Sequence, residues 1–189
     1  MSEKEYLNYI ETIINKTASE NLEPYNNNEY LEYTKLNATR FSRWIKTQHI
    51  NTDLKTAVRK IKSPQHWIII TEPWCGDAAH NIPFIIMAAR ENSLINLSFE
   101  LRDSEPFRIN NYLTNGTKSI PKLIIKNENG DDLAIWGPRP EGCQKVYTKL
   151  KQENAAFDTI VTQIQNWYNT NKGAETQAEL LGIITKTLL

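Results

Sequence analysis

A buried strand that runs directly into a cysteine-containing turn constrains the fold of this chain more than any other feature. Residues 66–70 (HWIII) are largely β-branched or aromatic, as in a strand covered on both faces, and an apolar stretch of helical length follows the turn. Cys75 therefore lies at a strand-to-helix corner. The first turn of a helix offers unpaired N–H groups and the positive end of a dipole, and both favour a thiolate over a thiol. This position makes Cys75 the leading candidate for chemistry.

Length and charge limit the classes of partner that the chain can bind. Its 189 residues suffice for one hydrophobic core with helical additions. Lysine and arginine together number 22, and aspartate and glutamate also number 22, so no net charge attracts a polyanion. We therefore expect neither nucleic acid nor a membrane surface as a partner.

The N-terminal sequence and the cysteine content predict a cytoplasmic protein. Residues 1–6 (MSEKEY) do not have the basic-then-apolar pattern of a signal peptide, and no apolar run approaches the roughly 20 residues that span a bilayer. The two cysteines, Cys75 and Cys143, are too few for a disulfide framework. In a reducing compartment, a reactive thiol at one of them is a better expectation than a structural bridge.

Helical periodicity predicts additions at both ends of a central domain. A helix at about residues 29–48 has aromatic and apolar side chains along one face, and we expect Arg40 and Arg43 on its more polar side to be solvated. The predicted division is an N-terminal helical extension (1–50), a central domain (51–170) and a C-terminal helix packed on the same domain (171–189).

Within the central domain, hydrophobic periodicity and turn residues predict an alternation of helices and strands. In chain order these are a short helix through residues 54–61, a strand at 67–70, a helix to about 92, a strand at 97–102, a short helix at 107–113, a strand at 122–126, a strand at 132–136 and one long helix carrying apolar residues from 146 to 168. The Asn129-Gly130 pair predicts a hairpin between the last two strands. This order predicts an α/β fold with a mixed sheet flanked by helices.

The order of elements, together with four local landmarks, resembles the thioredoxin family. The landmarks are the Trp-Cys-Gly motif at residues 74–76, Pro83 inside the following helix, Pro121 at the start of a strand, and Gly137 after the last strand. The resemblance implies a thioredoxin-like fold and a cis peptide bond before Pro121. It further implies a substrate groove beside Cys75 that is formed by Trp74, Gly76, Ser119, Ile120 and Pro121.

Two residues depart from the thioredoxin pattern, and both departures remove parts of the usual dithiol chemistry. Ala78 occupies the position of the second cysteine, which in thioredoxins attacks the mixed disulfide made by the first. Ile69 occupies the position of the buried aspartate that helps to deprotonate that second thiol. Any turnover at Cys75 must therefore end with attack by an external thiol, such as glutathione or the thiol of another protein.

Nearby charges are expected to tune the Cys75 thiol. The Asp77 carboxylate opposes the thiolate but suits a helix N-terminus, so we expect Cys75 to be mildly acidified. Arg139, between two prolines, either extends its charge towards Cys75 or pairs locally. His80 does not face Cys75 by helical geometry and is interpreted as structural or exposed. Cys143 is either a distant resolving cysteine or a buried inert one.

Two functions remain open from the sequence. The first is a monothiol (CxxA) thiol-disulfide oxidoreductase in which Cys75 forms mixed disulfides with protein disulfide substrates. The second is a redox-inactive thioredoxin-fold protein whose groove binds a peptide or partner. No Cys/His cluster has zinc-ligand spacing and no Gly-rich phosphate loop is present, so we expect no metal and no cofactor.

Overall fold

Four strands form one mixed sheet in the computed structural model, which describes residues 1–188. The strands are β1 (Gln65–Thr71), β2 (Ile95–Leu101), β3 (Lys122–Asn127) and β4 (Asp132–Trp136). Their order across the sheet is β2-β1-β3-β4, with β1 parallel to β2 and antiparallel to β3, and β3 antiparallel to β4. The predicted mixed sheet and its closing hairpin are confirmed.

The β-branched run of the opening motif lies at the centre of this sheet. Ile69 pairs with Phe99 of β2 on one side and with Leu123 of β3 on the other. Consecutive residues Ile68, Ile69 and Ile70 are all buried, so both faces of β1 are covered. This double burial is the reason why β1 lacks the alternating pattern of a half-exposed strand.

Helices cover the sheet, and both ends of the chain contribute to its core. They are α1 (Glu3–Ile14), α2 (Asn28–Thr47), α3 (Thr52–Arg59), α4 (Gly76–Ala89), α5 (Glu141–Gln152), α6 (Phe157–Asn171) and α7 (Ala174–Thr187), with short 3-10 turns at Ala18–Glu20 and Arg108–Asn111. Tyr6 of α1 stacks on Phe99 of β2, and Leu180 and Ile184 of α7 are fully buried in the same core. The predicted α/β fold with extra helices at both ends is confirmed.

The long helix predicted across residues 146–168 is wrong, because the chain forms two helices there. α5 ends at Gln152 and α6 begins at Phe157. Between them Asn154 adopts φ 52°, a left-handed conformation that terminates helices, and the N–H of Ala155 donates to the carbonyl of Leu150. Apolar periodicity continues through this break, and periodicity alone therefore could not locate it.

Gly137 directly follows β4 and packs against Pro121, in the segment that precedes β3. Its φ of 107° is strained for any residue with a side chain, and a Cβ there would overlap the carbonyl oxygen of Pro121. The peptide bond between Ile120 and Pro121 is cis. Only glycine lets the β4 end approach Pro121 so closely, and this approach holds the Ile120 carbonyl beside the corner that carries Cys75.

Candidate functional site

Cys75 is the N-cap of α4, one residue after the turn that leaves β1. Its N–H donates to the carbonyl of Glu72, and its own carbonyl accepts the first helical hydrogen bond, from Ala79. The backbone at Cys75 is extended (φ −76°, ψ 115°), as is usual for a cap residue. The predicted strand-to-helix corner is therefore present, with the thiol at its tip.

The Cys75 thiol is protonated and almost fully buried. Only 7 % of the residue is exposed, and Sγ donates a hydrogen bond to the carbonyl oxygen of Ile120 at 3.4 Å. Burial, followed by the negative charge of Asp77, raises the pKa of Cys75 to about 12. The N–H groups of Ala78 and Asp77 and the charge of Arg139 act in the opposite direction but are weaker. The expectation of a mildly acidified thiol is wrong, because desolvation outweighs the helix terminus.

Asp77 and Arg139, the two candidate electrostatic modulators, are each other's partners. Arg139 Nη2 lies 2.7 Å from Asp77 Oδ2, and both side chains are largely buried. Tyr168 of α6 donates its hydroxyl to Asp77 Oδ1 at 2.8 Å, and the Arg139 guanidinium stacks over the ring of Tyr147 at 4.2 Å. Arg139 therefore pairs with Asp77, and its charge also acts on Cys75 but is outweighed there by burial. Through Tyr147 and Tyr168 the pair connects α4 with α5 and α6.

His80 belongs to the core beside this pair. Its Nδ1 accepts from the indole N–H of Trp44 at 2.9 Å, and Nε2 lies 3.1 Å from Gln165 Oε1. Because Nδ1 accepts, Nε2 carries the proton, and the ring is neutral. It also stacks on Tyr168, and burial lowers the pKa of His80 to about 3. Both ring nitrogens are engaged, so His80 has no free nitrogen for general-base chemistry.

A cavity of about 630 Å³ opens beside Cys75. Of the predicted groove residues, Trp74, Gly76, Ser119 and Ile120 line it together with Cys75, whereas Pro121 is buried and does not line the cavity. The volume falls within the range of small-ligand pockets. Residues of α2, α4, α6 and the segment before β3 all contribute to the lining of the cavity.

Several lining residues were not predicted from the sequence. From α2 come Tyr30, whose ring meets Trp74 edge-on at 5.6 Å, and Arg40, which is half-buried rather than solvated. From α6 come Phe157, Ile160, Val161 and Ile164. The sequence could have indicated that Arg40 faces the protein, because it lies at helical spacing on one face of α2 with Tyr33, Asn37 and Trp44.

Cys143 lies fully buried near the start of α5 and is a free thiol, as is Cys75. Burial, with the charge of Asp77, raises the pKa of Cys143 to about 12. Its role as a resolving cysteine stays an untested prediction.

Residues 1–188 contain no cluster of three or more His, Cys, Asp or Glu side chains that could hold a metal ion. Within the same described range, no helix combines the length and the apolarity that crossing a bilayer requires.

Two solved structures resemble the chain in fold. One is a protein of unknown function from Pseudomonas aeruginosa, with 16 % identity and a TM-score of 0.57, covering 89 % of this chain and 88 % of that one. The other is an HIV epitope scaffold, with 16 % identity and a TM-score of 0.56, covering 97 % of this chain and 98 % of the scaffold. None of the curated proteins matches the chain.

The match to a protein family is more informative than these likenesses. The family model described as Thioredoxin matches residues 24–151, which is well over half of the chain. The match includes α2, the Cys75 corner, the whole sheet and all but the last residue of α5. The chain therefore belongs to the thioredoxin family.

Proposed function

We propose that this thioredoxin-fold protein is a peptide-binding module whose groove lies beside Cys75, and that the resting thiol serves as a hydrogen-bond donor. The proposal rests on two unpaired backbone N–H groups at the edge of this groove. Within residues 1–188, the backbone N–H groups of Ser119 and Ile120 have no hydrogen-bond partner, and both residues border the 630 Å³ cavity. Unpaired backbone groups at the end of a strand are suited to binding an extended peptide.

The Cys75 environment supports binding ahead of thiol exchange. Because burial raises the pKa of Cys75 to about 12, the thiol and not the thiolate predominates at neutral pH. The thiol proton is already donated to the Ile120 carbonyl, and Ala78 supplies no second thiol. Thiol-disulfide exchange requires the thiolate, so the resting site is poorly prepared for it.

Monothiol exchange is the second candidate, and it is favoured by the position of Cys75 on the cavity wall. In this scheme the Cys75 thiolate attacks a substrate disulfide, forms a mixed disulfide and releases one substrate thiolate. An external thiol, such as glutathione, then attacks the mixed disulfide, and a second external thiol completes the cycle. The net reaction reduces one substrate disulfide to two thiols and oxidises two external thiols to one disulfide.

Binding is tested with an array of random octapeptides and three variants. Cys75→Ser keeps a hydroxyl donor and should retain binding. Val161→Trp places a large ring into the cavity wall and should abolish binding, whereas Ile135→Trp, on exposed β4 outside the cavity, is the matched control. Absence of any peptide that binds the wild-type protein above background would refute the proposal.

The redox candidate is tested by the pH dependence of Cys75 alkylation, followed by mass spectrometry, and by release of a mixed disulfide with glutathione. An apparent pKa above the free-cysteine value of about 8.5 with no release excludes monothiol exchange. A lower apparent pKa together with turnover would reverse the order of the two candidates. Cys75→Ser is the control for assigning the alkylated residue.

A further inference from the structure

Arg40 is the one cavity-lining arginine that has no acidic partner among the described residues. Arg139 is paired with Asp77, and Arg102 is paired with Asp103. Arg40 donates only to the side-chain oxygen of Asn37, at 3.0 Å. The residue is partly buried, and burial followed by repulsion from Arg43 lowers its pKa. A partly desolvated cation without a counterion is costly, and an anionic ligand would relieve that cost.

The position of Arg40 places this charge next to the thiol corner. Its Nη1 lies 3.9 Å from the point where a Cβ on Gly76 would stand, and Gly76 is the first residue of α4. The positive end of the α4 dipole therefore reinforces the guanidinium charge. Tyr33 and Trp74 also line the cavity and supply apolar surface for the stem of a bound side chain.

The cavity as a whole carries a positive excess in a chain that has none overall. Its lining includes four cationic side chains (Arg40, Arg102, Lys118 and Arg139) and two anionic ones (Glu29 and Asp77), whereas the whole chain has a formal net charge of zero. Because Arg139 is paired with Asp77 and Arg102 with Asp103, the excess comes from Arg40 and Lys118 against Glu29. Glu29 is exposed and lies eleven residues before Arg40 on α2, about 16 Å along the helix axis. It is therefore too distant along α2 to neutralise Arg40.

We propose that Arg40 binds the carboxylate of an aspartate or glutamate side chain in the bound peptide, so that the cavity selects acidic peptides at the position beside Cys75. This proposal rests on the peptide-binding function. An arginine suits the role because its guanidinium can bind both oxygens of a carboxylate at once. The segment Ser119–Ile120 would hydrogen-bond the peptide backbone, and Arg40 would bind one acidic side chain of the peptide.

The charge selectivity of the subsite can be measured without any peptide. Dithiobis(nitrobenzoate) is an aromatic disulfide with carboxylates, and dithiodipyridine is a neutral aromatic disulfide. The Cys75 thiolate displaces one thiolate half of either reagent and forms a mixed disulfide, which mass spectrometry quantifies over time. In Arg40→Gln, the ratio of the anionic to the neutral labelling rate should fall by at least about tenfold, the lower end of the range for one hydrogen bond to a charged group.

Two further variants make this result specific. Arg43→Gln removes an exposed charge on the same helix, outside the cavity, and should leave the ratio unchanged. Arg40→Lys keeps the charge and should restore part of the selectivity. An unchanged ratio in Arg40→Gln overturns the proposal. If neither reagent labels the buried, protonated Cys75, the peptide measurement below decides it.

Peptide binding provides the second arm. In each octapeptide that binds, aspartate is replaced by asparagine and glutamate by glutamine, one residue at a time. One such replacement should weaken binding to the wild-type protein about tenfold and should leave binding to Arg40→Gln unchanged. Peptides whose amide versions bind equally well would overturn the acidic specificity while leaving the peptide-binding function intact. Absence of any binding peptide would refute the function, whereas the reagent ratio would still report on Arg40.

Discussion

Replacing Asp77 by asparagine should destabilise the protein and at the same time acidify Cys75. The carboxylate and the Arg139 guanidinium are 2.7 Å apart, and their side chains are only 11 % and 17 % exposed. Without the carboxylate charge, Arg139 stays buried with no counterion. An asparagine side chain has one accepting oxygen and one donating NH₂ group. If its oxygen accepts from Tyr168, its NH₂ group faces Arg139; if its oxygen accepts from Arg139, its NH₂ group faces Tyr168. One of the two contacts is therefore unfavourable in either orientation.

The magnitude follows from the burial of the pair. Removing one partner of a buried ion pair costs about 3–5 kcal/mol, and the retained amide oxygen favours the lower end. With a urea dependence of about 2 kcal/mol per molar, a loss of about 3 kcal/mol moves the unfolding midpoint down by about 1.5 M. Because the negative charge of Asp77 raises the pKa of Cys75, its removal should lower the pH midpoint of Cys75 alkylation.

A double variant separates the ion pair from other effects of the substitution. Asp77→Asn combined with Arg139→Gln removes both charges, so it should recover most of the stability that Asp77→Asn alone loses. Urea unfolding followed by circular dichroism measures both variants. A midpoint shift below about 0.3 M in Asp77→Asn, or a double variant no more stable than the single one, would show that the pair does not act as described.

Three further outcomes are expected. Burial lowers the pKa of folded His80 to about 3, so its contribution to stability is complete above the unfolded pKa of about 6.5. The free energy of unfolding should fall as pH falls from about 6.5 towards 3, by up to about 1.4 kcal/mol per pH unit. His80→Gln should flatten this acid dependence in urea titrations. Gly137→Ala should cost at least about 2 kcal/mol because of its φ and its contact with the adjacent carbonyl, whereas Gly130→Ala, where a Cβ meets no atom within 4 Å, should cost less; equal losses would contradict this account. Phe157→Ala, at a side chain that is 65 % exposed on the cavity rim, should change stability by less than about 0.5 kcal/mol but weaken peptide binding in the array assay.

The architecture was accessible from local sequence patterns because short-range physics controls it. The apolar run of β1, the Asn129-Gly130 turn and the helical spacing in α2 and α4 each reflect interactions between residues that are close in the chain. The same patterns placed Cys75 at a helix start, and the structure has it there as the N-cap of α4. The break between α5 and α6 escaped detection because Asn154 interrupts the backbone without interrupting the apolar period.

The properties of the thiol, by contrast, depend on residues distant in the chain. Cys75 donates to a carbonyl 45 positions away, and Asp77 is tied to Tyr168, 91 positions away. Desolvation depends on how completely such segments close around a group, and no local pattern encodes that closure. The local sequence therefore determined the strand, the turn and the position of the cysteine. The burial that keeps Cys75 protonated and the exposure of Arg40 to the cavity depend on the tertiary structure, because α2, α6 and the segment before β3 pack together at the Cys75 corner.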